Sequence, residues 1–202
     1  MNIDDVKDVP KVKPELFMKA IFDKQLILLE KYKDIEGIPD YPFDIDDAVG
    51  QIWIKDFLWR TCEEVAESME ANRGDHIEHQ IEELSDALHF IIEAMILAGV
   101  EPEFPDMGEL WDHLNLYLPD ETYEQACLEV LYWTGMTGNT LKNKKWKQTQ
   151  MQTDADKFEK YIKYALNSVL GCFKASGCSP RETFVYYFKK SEVNKFRQRS
   201  NY

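Results

Sequence analysis

The sequence from Glu63 to Asp86 reads EEVAESMEANRGDHIEHQIEELSD, and it places two acidic motifs on either side of a short turn. If both motifs lie on helices, residues 63–86 form an antiparallel helix hairpin with carboxylates on its inner face. Carboxylates held this close repel one another unless a cation is bound between them. A hard divalent cation such as Mg²⁺ prefers oxygen ligands, and Mg²⁺ held by carboxylates usually serves phosphate chemistry. The segment therefore predicts both a helical fold and a magnesium site.

The overall composition fits one domain that acts on a small ligand. The chain has 202 residues, of which 44% are hydrophobic, and this is enough for a core in a single domain spanning 1–202. Its formal net charge of −13 argues against nucleic acid as a partner, because no broad basic surface can displace counterions. A small anionic substrate stays compatible with this charge, since a local basic cluster and a metal can reverse the local sign.

The cysteines and the apolar runs predict a cytoplasmic protein. The four cysteines lack CxxC spacing, which favours reduced and mostly buried thiols, although Cys172 and Cys178 could pair in an oxidising compartment. The acidic, polar start of the chain does not resemble a signal peptide. No apolar run approaches the roughly 20 residues of a membrane span, so we expect no membrane segment.

Helical spacing of apolar residues runs through most of the chain, and no segment predicts a strand. The predicted fold is therefore an all-α helical bundle around the antiparallel metal-binding hairpin. Residues 101–119 contain three prolines and are predicted to be irregular, and residues 134–152 are predicted to form a loop. Together, residues 101–152 are predicted to be an insertion. The predicted helices span residues 14–33, 51–71, 76–98, 122–133, 154–170 and 180–196.

Several residues are predicted to bound these helices. We expect Gly74 to end the second helix in a left-handed conformation and Asp75 to cap the third helix. Thr153 is expected to cap the fifth helix. Residues 179–182 (Ser-Pro-Arg-Glu) are typical of the first turn of the last helix.

The acidic motifs have a chemical interpretation and a structural one. Residues three apart on a helix are neighbours, so Glu64 pairs with Glu67, and Glu83 with Asp86. Facing pairs could hold one or more Mg²⁺ ions, and a carboxylate not committed to metal could act as general base. Acidic runs are also typical of solvated helix faces, but two of them across one tight turn favour a site. A di-iron bundle needs Glu-x-x-His on two helices, and residues 86–89 (Asp-Ala-Leu-His) give only a near match.

Phe90 and His89 directly follow the second motif. Phe90 shares a stripe with Glu83, Asp86 and Glu93, and its ring could stack on a nucleobase. Ordinary core packing is the alternative for Phe90. His89 could hydrogen-bond a metal ligand, or it could be a satisfied core histidine.

Two basic clusters stand out in this acidic chain, one in residues 142–147 and one in residues 189–199. Both could hold phosphates, while a solvated loop and a solvated terminal helix are the alternatives. Within the second cluster, Lys190, Asn194 and Arg197 follow i, i+4, i+7 spacing and so share one helix face.

These motifs resemble a known family. Glu-x-x-Glu (64–67) followed by Glu-x-x-Asp (83–86) is similar to the all-α nucleotide pyrophosphohydrolases, which include the dimeric dUTPases and the MazG-like enzymes. ELSDALHF (83–90) resembles the dimeric dUTPase branch and its phage dCTPase/dUTPase relatives. The segment YFKKSEVNKFRQRSNY (187–202) resembles the terminal Tyr-x-x-Lys-Asn-x-x-Asn-x-x-Arg-Gln-x-x-Gly-Tyr pattern of that branch. Ser191 stands where the pattern has Asn, and Asn201 where it has Gly.

The resemblance implies a metal site and a catalytic base. Two or more Mg²⁺ ions, with Mn²⁺ as a substitute, would be held by Glu64, Glu67, Glu83 and Asp86. Glu64 would also be the catalytic base for the attacking water. Glu63 and His89 would contact these ligands without binding the metal themselves.

The resemblance also implies a nucleotide-binding set. Phe90 would stack on the pyrimidine, Gln25 and Asn194 would contact the base or sugar, and Lys190 and Arg197 would hold phosphates. A homodimer is implied as well. The implied reaction is hydrolysis of dUTP, and also of dUDP, to dUMP.

Three alternatives to this function stay open at this point. The enzyme could be a bifunctional dCTPase/dUTPase or a broader MazG-like nucleotide pyrophosphohydrolase, and a protein-binding helical scaffold is the alternative that is not an enzyme. The choice between dUTP and dCTP depends on one exocyclic group of the base. Rotation of a single Gln or Asn amide exchanges a donor for an acceptor, so the sequence leaves this choice open.

Overall fold

The computed structural model describes residues 9–199, with side chains described through Asn194. Within this range the chain forms an all-α bundle and contains no strand, which confirms the predicted fold class. A 3₁₀ turn at Pro14–Leu16 leads into the first helix. The α-helices are α1 (Phe17–Glu36), α2 (Ala48–Arg73), α3 (Ile77–Ala98), α4 (Met107–Tyr117), α5 (Tyr123–Thr140), α6 (Ala155–Ala175) and α7 (Pro180–Arg199).

The predicted hairpin is formed by α2 and α3, which pack against each other and are joined by residues 74–76. Helix α3 is the centre of the molecule, because it also packs against α1, α6 and α7. Its apolar face carries Leu84, Leu88, Ile91 and Met95 at helical spacing, and all four side chains are fully buried. The opposite edge of the same helix carries the acidic motif, so the core fixes the position of the acidic residues.

The turn of the hairpin differs from the prediction. Gly74 has φ −89° and is not left-handed, whereas Asp75 has φ 58°. His76, and not Asp75, occupies the N-cap position of α3, and its side chain makes no capping bond. The reason is that the amide of Gly74 still bonds to carbonyls of α2, so the chain reverses one residue later. A short polar side chain such as Asp tolerates the left-handed region better than most residues.

The prediction of an irregular segment at 101–119 was wrong, because α4 lies inside it. The prolines bound this helix: Pro102 and Pro105 precede it and Pro119 follows it. Its buried residues have helical spacing and are Met107, Leu110, Trp111 and Leu114.

Several further boundaries differ from the prediction, among them the end of α5 and the start of α6. Helix α5 extends to Thr140, because Thr134 and Thr137 lie on its buried face, where backbone carbonyls one turn back accept hydrogen bonds from their hydroxyls. Asp154, and not Thr153, caps α6 by accepting a hydrogen bond from the Lys157 amide. Thr153 is buried instead, where its hydroxyl contacts Gln51.

Helix α7 begins as predicted. The Ser179 hydroxyl accepts from the Glu182 amide, and the Glu182 carboxylate accepts from the Ser179 amide. The helix then packs against α1 and α3, with Phe184 stacked on Phe17 at a centroid distance of 4.3 Å. This packing brings the C-terminal part of the chain over the acidic edge of α3.

The thiols agree with the expectation of reduced, mostly buried cysteines: all four are free, three are buried, and Cys62 is partly buried. No helix in residues 9–199 is both long and apolar enough to cross a membrane.

Candidate functional site

Three carboxylates converge where the hairpin helices face each other. Glu64 on α2 meets Glu83 and Asp86 on α3, and one oxygen from each lies within 4.8 Å of the others. Glu83 is buried, while Glu64 and Asp86 are partly buried. Glu67 and Glu63 are exposed on α2, and neither belongs to this group of three. The structure thus brings together three of the four predicted metal ligands.

The charges of this carboxylate cluster are poorly compensated. Burial, followed by the charge of Asp86 and the contact with Glu83, raises the pKa of Glu64 to about 8. The charge of nearby Glu67 raises it further, which places Glu67 at the edge of the cluster. An all-oxygen, acidic donor set in which burial and mutual repulsion keep a proton on Glu64 fits a hard divalent cation.

Lys190 places a buried positive charge beside the cluster. Its Nζ lies 2.7 Å from Asp86 Oδ2 and 2.8 Å from Glu82 Oε1, and the side chain is almost fully buried. Burial alone would lower the pKa of Lys190, but the bonds to the two carboxylates raise it above its ordinary value. One turn later, Asn194 Nδ2 lies 3.5 Å from Asp86 Oδ1. Arg197 follows on the helix, and its side chain lies outside the described residues.

His89 is a satisfied buried histidine. Its Nδ1 lies 2.6 Å from the Ser85 carbonyl oxygen, its Nε2 lies 2.9 Å from Ser191 Oγ, and its ring stacks on Tyr187. Burial lowers the pKa of His89 to about 4, so the ring is neutral at pH 7. Of the two hypotheses for His89, these contacts favour the core histidine, and the contact with Ser191 ties α7 to α3.

Phe90 lies one turn beyond Asp86 and is partly buried. Its ring packs at a tilt against Phe57 of α2, with centroids 6.2 Å apart. The guanidinium of Arg60 lies 5.7 Å from the Phe90 centroid and is held by Glu36 and Asp56. The ring therefore combines some core contact with an exposed part beside a fixed positive charge.

Gln25 is buried, and both ends of its amide are engaged. Nε2 donates to Glu93 Oε1 at 2.7 Å, and Oε1 accepts from the Tyr187 hydroxyl at 2.5 Å. Glu93 is itself buried, and this burial raises its pKa to about 8. Gln25 thus belongs to a polar network between α1, α3 and α7.

Sequence reasoning did not assign a role to several residues around the site. Arg60 lies one turn before Glu64 on α2, a spacing that could have indicated it. Glu93 was placed on the stripe with Phe90 but given no role. Tyr187 matches the first residue of the terminal pattern and Glu82 lies in the second acidic motif, but neither was given a role, because their partners come from distant helices.

The basic segment 142–147 is a loop, as the sequence favoured. Asn143 holds the two ends of this loop together, because its side chain bonds to the amide and the carbonyl of Met151, at 2.8 and 2.9 Å. The lysines and Trp146 are exposed, with Lys144 near the Trp146 ring.

Comparison with known proteins gives one finding. A family model described as dUTPase matches residues 68–202, which is more than half of the chain. The match includes Glu83, Asp86, Phe90 and Lys190, and it begins just after Glu64 and Glu67. No curated protein and no solved structure matches the chain.

Proposed function

The chain belongs to the dUTPase family, and we propose that within it the protein is a Mg²⁺-dependent diphosphatase that hydrolyses dUTP to dUMP and pyrophosphate. We also propose that dUDP is a substrate, giving dUMP and phosphate. The observation that carries this proposal is the convergence of Glu64, Glu83 and Asp86 beside Lys190. Such a site pairs acidic metal ligands with a cation that can bind phosphate.

The residues that would hold the metal are Glu64, Glu83 and Asp86, with Glu67 at the edge. A bound divalent cation would neutralise charge on the phosphate oxygens and activate water. Mg²⁺ suits an all-carboxylate donor set, Mn²⁺ accepts similar ligands, and a second ion would explain the additional carboxylate of Glu67.

The protein's own groups would handle the proton and the phosphates. Glu64 lies partly buried in the cluster, and its carboxylate would take a proton from the attacking water once cation binding has removed the proton that it holds itself. Lys190 would exchange its contact with Asp86 for a phosphate oxygen, because a phosphate offers a strongly charged acceptor. Arg197 lies two turns further along α7 and would bind the next phosphate.

The nucleoside would bind between α2 and α3, against the exposed face of the Phe90 ring. The exposed part of the ring supports stacking on the pyrimidine. Because an aromatic ring stacks on any base, polar groups must discriminate between uracil and the other bases. Gln25 and Asn194 are the amides assigned to that choice.

We further propose a cytoplasmic homodimer. Ile52 and Trp59 lie two turns apart on α2, and both are exposed, at 43% and 64%, so they form an apolar surface on this helix. Light scattering on the protein and on Trp59→Glu tests this. A dimer that dissociates in the variant supports the α2 surface, and a monomeric parent protein contradicts the proposal.

A nucleotide panel with Mg²⁺ tests the function: dUTP, dCTP, dTTP, dATP, dGTP, dUDP and UTP, scored for monophosphate and pyrophosphate. Selective formation of dUMP is the expected result. Equal turnover of dCTP would indicate the bifunctional type, and activity on purines the broader MazG-like type. A folded protein that hydrolyses nothing in the panel would favour the scaffold.

A further inference from the structure

Glu93 is a buried carboxyl group that the proposed reaction does not use. It lies one turn beyond Phe90 on the stripe of α3 that also carries Asp86. Its side chain is only 5% exposed, and its one hydrogen bond to a described residue is the bond that Oε1 accepts from Gln25. Its second oxygen, Oε2, therefore has no hydrogen-bond partner in the described part of the chain. Buried polar atoms without a partner are rare and often mark a ligand position.

In this network the Gln25 amide is held with Oε1 toward Tyr187 and Nε2 toward Glu93. The Tyr187 hydroxyl has a single proton, which it donates to Gln25 Oε1 at 2.5 Å, with the Ile21 carbonyl oxygen as a longer contact at 3.2 Å. Glu93 then receives the Nε2 end. A fixed amide presents a fixed pattern of donor and acceptor to a base, which a free amide would not do.

The surroundings of Glu93 favour the neutral acid. The hydrogen bond from Gln25 and the charge of Arg60 on α2 favour ionisation of Glu93, whereas the charges of Glu36 at the end of α1 and Asp86 on α3 disfavour it. Tyr41, in the loop after α1, and Tyr187 on α7 also face the group. Burial is the largest contribution and raises the pKa of Glu93 to about 8, so the carboxyl carries a proton at pH 7. Because Oε1 already accepts from Gln25, that proton lies on Oε2, which becomes a free donor.

We propose that Glu93 is a specificity-determining residue of the nucleotide site, which fixes the Gln25 amide and donates from Oε2 to the C4 carbonyl of uracil. This inference rests on the proposed function, since it needs a pyrimidine stacked on Phe90. Uracil carries an acceptor oxygen at C4, whereas cytosine carries an amino donor there. A donor on the protein therefore pairs with uracil and opposes cytosine.

The proposal makes selectivity depend on pH. Below about pH 8 the neutral acid favours dUTP over dCTP. As the pH rises through that value, the carboxylate becomes an acceptor, which repels the uracil oxygen and accepts from the cytosine amine. An unsatisfied buried polar group weakens binding, so we expect the dUTP to dCTP ratio of kcat/KM to fall by about 5- to 150-fold. Effects of pH on the shared hydrolysis step cancel in this ratio.

The experiment measures the ratio from about pH 6.5 to about pH 9 in four proteins. In the parent protein it falls as described. In Glu93→Gln the amide donates at every pH, so only the smaller fall due to ionisation of uracil itself is left. Glu121→Gln is the matched control, because burial also raises the pKa of this distant glutamate, and it keeps the parent's fall. Tyr187→Phe releases the Gln25 amide, so its ratio is lower at every pH but still falls.

Proton uptake provides a measurement that needs no variant. Titration calorimetry of dUMP and dCMP at pH 8, in buffers of different ionisation enthalpy, should show proton uptake with dUMP and release with dCMP. Equal proton exchange for both nucleotides, together with the same pH dependence in the parent and Glu93→Gln, would overturn the inference while leaving hydrolysis established. Absence of hydrolysis with opposite proton exchange would instead refute the proposed function and keep the role of Glu93. Absence of both hydrolysis and binding would refute both.

Discussion

Replacing Lys190 by methionine tests whether its ammonium group is the internal counter-charge of the carboxylate cluster. The Lys190 Nζ lies 2.7 Å from Asp86 and 2.8 Å from Glu82. The Lys190 side chain is 7% exposed and the Asp86 side chain 16%, whereas that of Glu82 is half exposed. The methionine keeps most of the apolar stem, so the change removes charge with little loss of packing.

The expected loss follows from these exposures. Removing one partner of a buried ion pair costs about 3–5 kcal/mol, because it leaves an uncompensated buried charge. An exposed pair contributes about 1 kcal/mol or less, so the contact with Glu82 adds little. Since Asp86 keeps some exposure, we expect the free energy of unfolding to fall by about 3 kcal/mol without metal.

Urea unfolding, followed by circular dichroism, measures this loss in EDTA and in excess Mg²⁺. A bound cation can replace the missing ammonium charge, so Mg²⁺ should restore much of the stability of Lys190→Met while turnover stays impaired. The control is Lys163→Met, which breaks an exposed pair with Glu159 on α6 and should cost about 1 kcal/mol or less in both conditions. A loss for Lys190→Met that equals the control in EDTA, or that Mg²⁺ leaves unchanged, would refute the counter-charge role.

Three further predictions concern the same site. Glu64→Gln should abolish turnover while the helical circular dichroism stays intact; near-normal turnover would show that another group is the base. Phe90→Ala should weaken nucleotide binding by about 1–3 kcal/mol, the usual contribution of base stacking, and leave Mg²⁺ affinity nearly unchanged. Equal losses of both affinities in titration calorimetry would point to a packing role. Mg²⁺ binding at pH 7 should release a proton, because the raised pKa of Glu64, about 8, falls when a cation binds. An indicator dye measures this release, which should shrink above about pH 9 and be absent in Glu64→Gln.

The sequence was sufficient for the features that depend on local spacing. The apolar repeat of α3 and the acidic residues three apart predict the hairpin and its carboxylate cluster, because the two acidic motifs lie on consecutive helices, one on each. The start of α7 was also predictable, because Ser179 and Glu182 satisfy each other within one turn. In contrast, the polar, glycine-containing segment 134–152 predicted a loop, whereas α5 continues to Thr140 with Thr134 and Thr137 on its buried face and their hydroxyls bonded to backbone carbonyls.

The sequence could not supply the contacts between distant helices. Lys190 and Glu82 are 108 residues apart, and only the packing of α7 on α3 makes them neighbours. The same holds for Gln25 and Glu93, which are 68 residues apart. Spacing along the sequence therefore could not assign a role to Gln25 or Glu93. The family resemblance implied the role of Gln25 but did not identify its partner.

Helix α3 explains how the fold tolerates a self-repelling site. Helix α3 brings Glu83 and Asp86 against Glu64 of α2, which disfavours folding without metal because Glu64 must keep a proton that an unfolded glutamate would lose at pH 7. Its apolar face offsets this cost, since burying side chains such as Leu84, Leu88 and Ile91 contributes about 1.5–3 kcal/mol each. Helices α2 and α3 together hold three carboxylates within 4.8 Å of one another. We expect the binding of a cation to recover the stability that this arrangement costs.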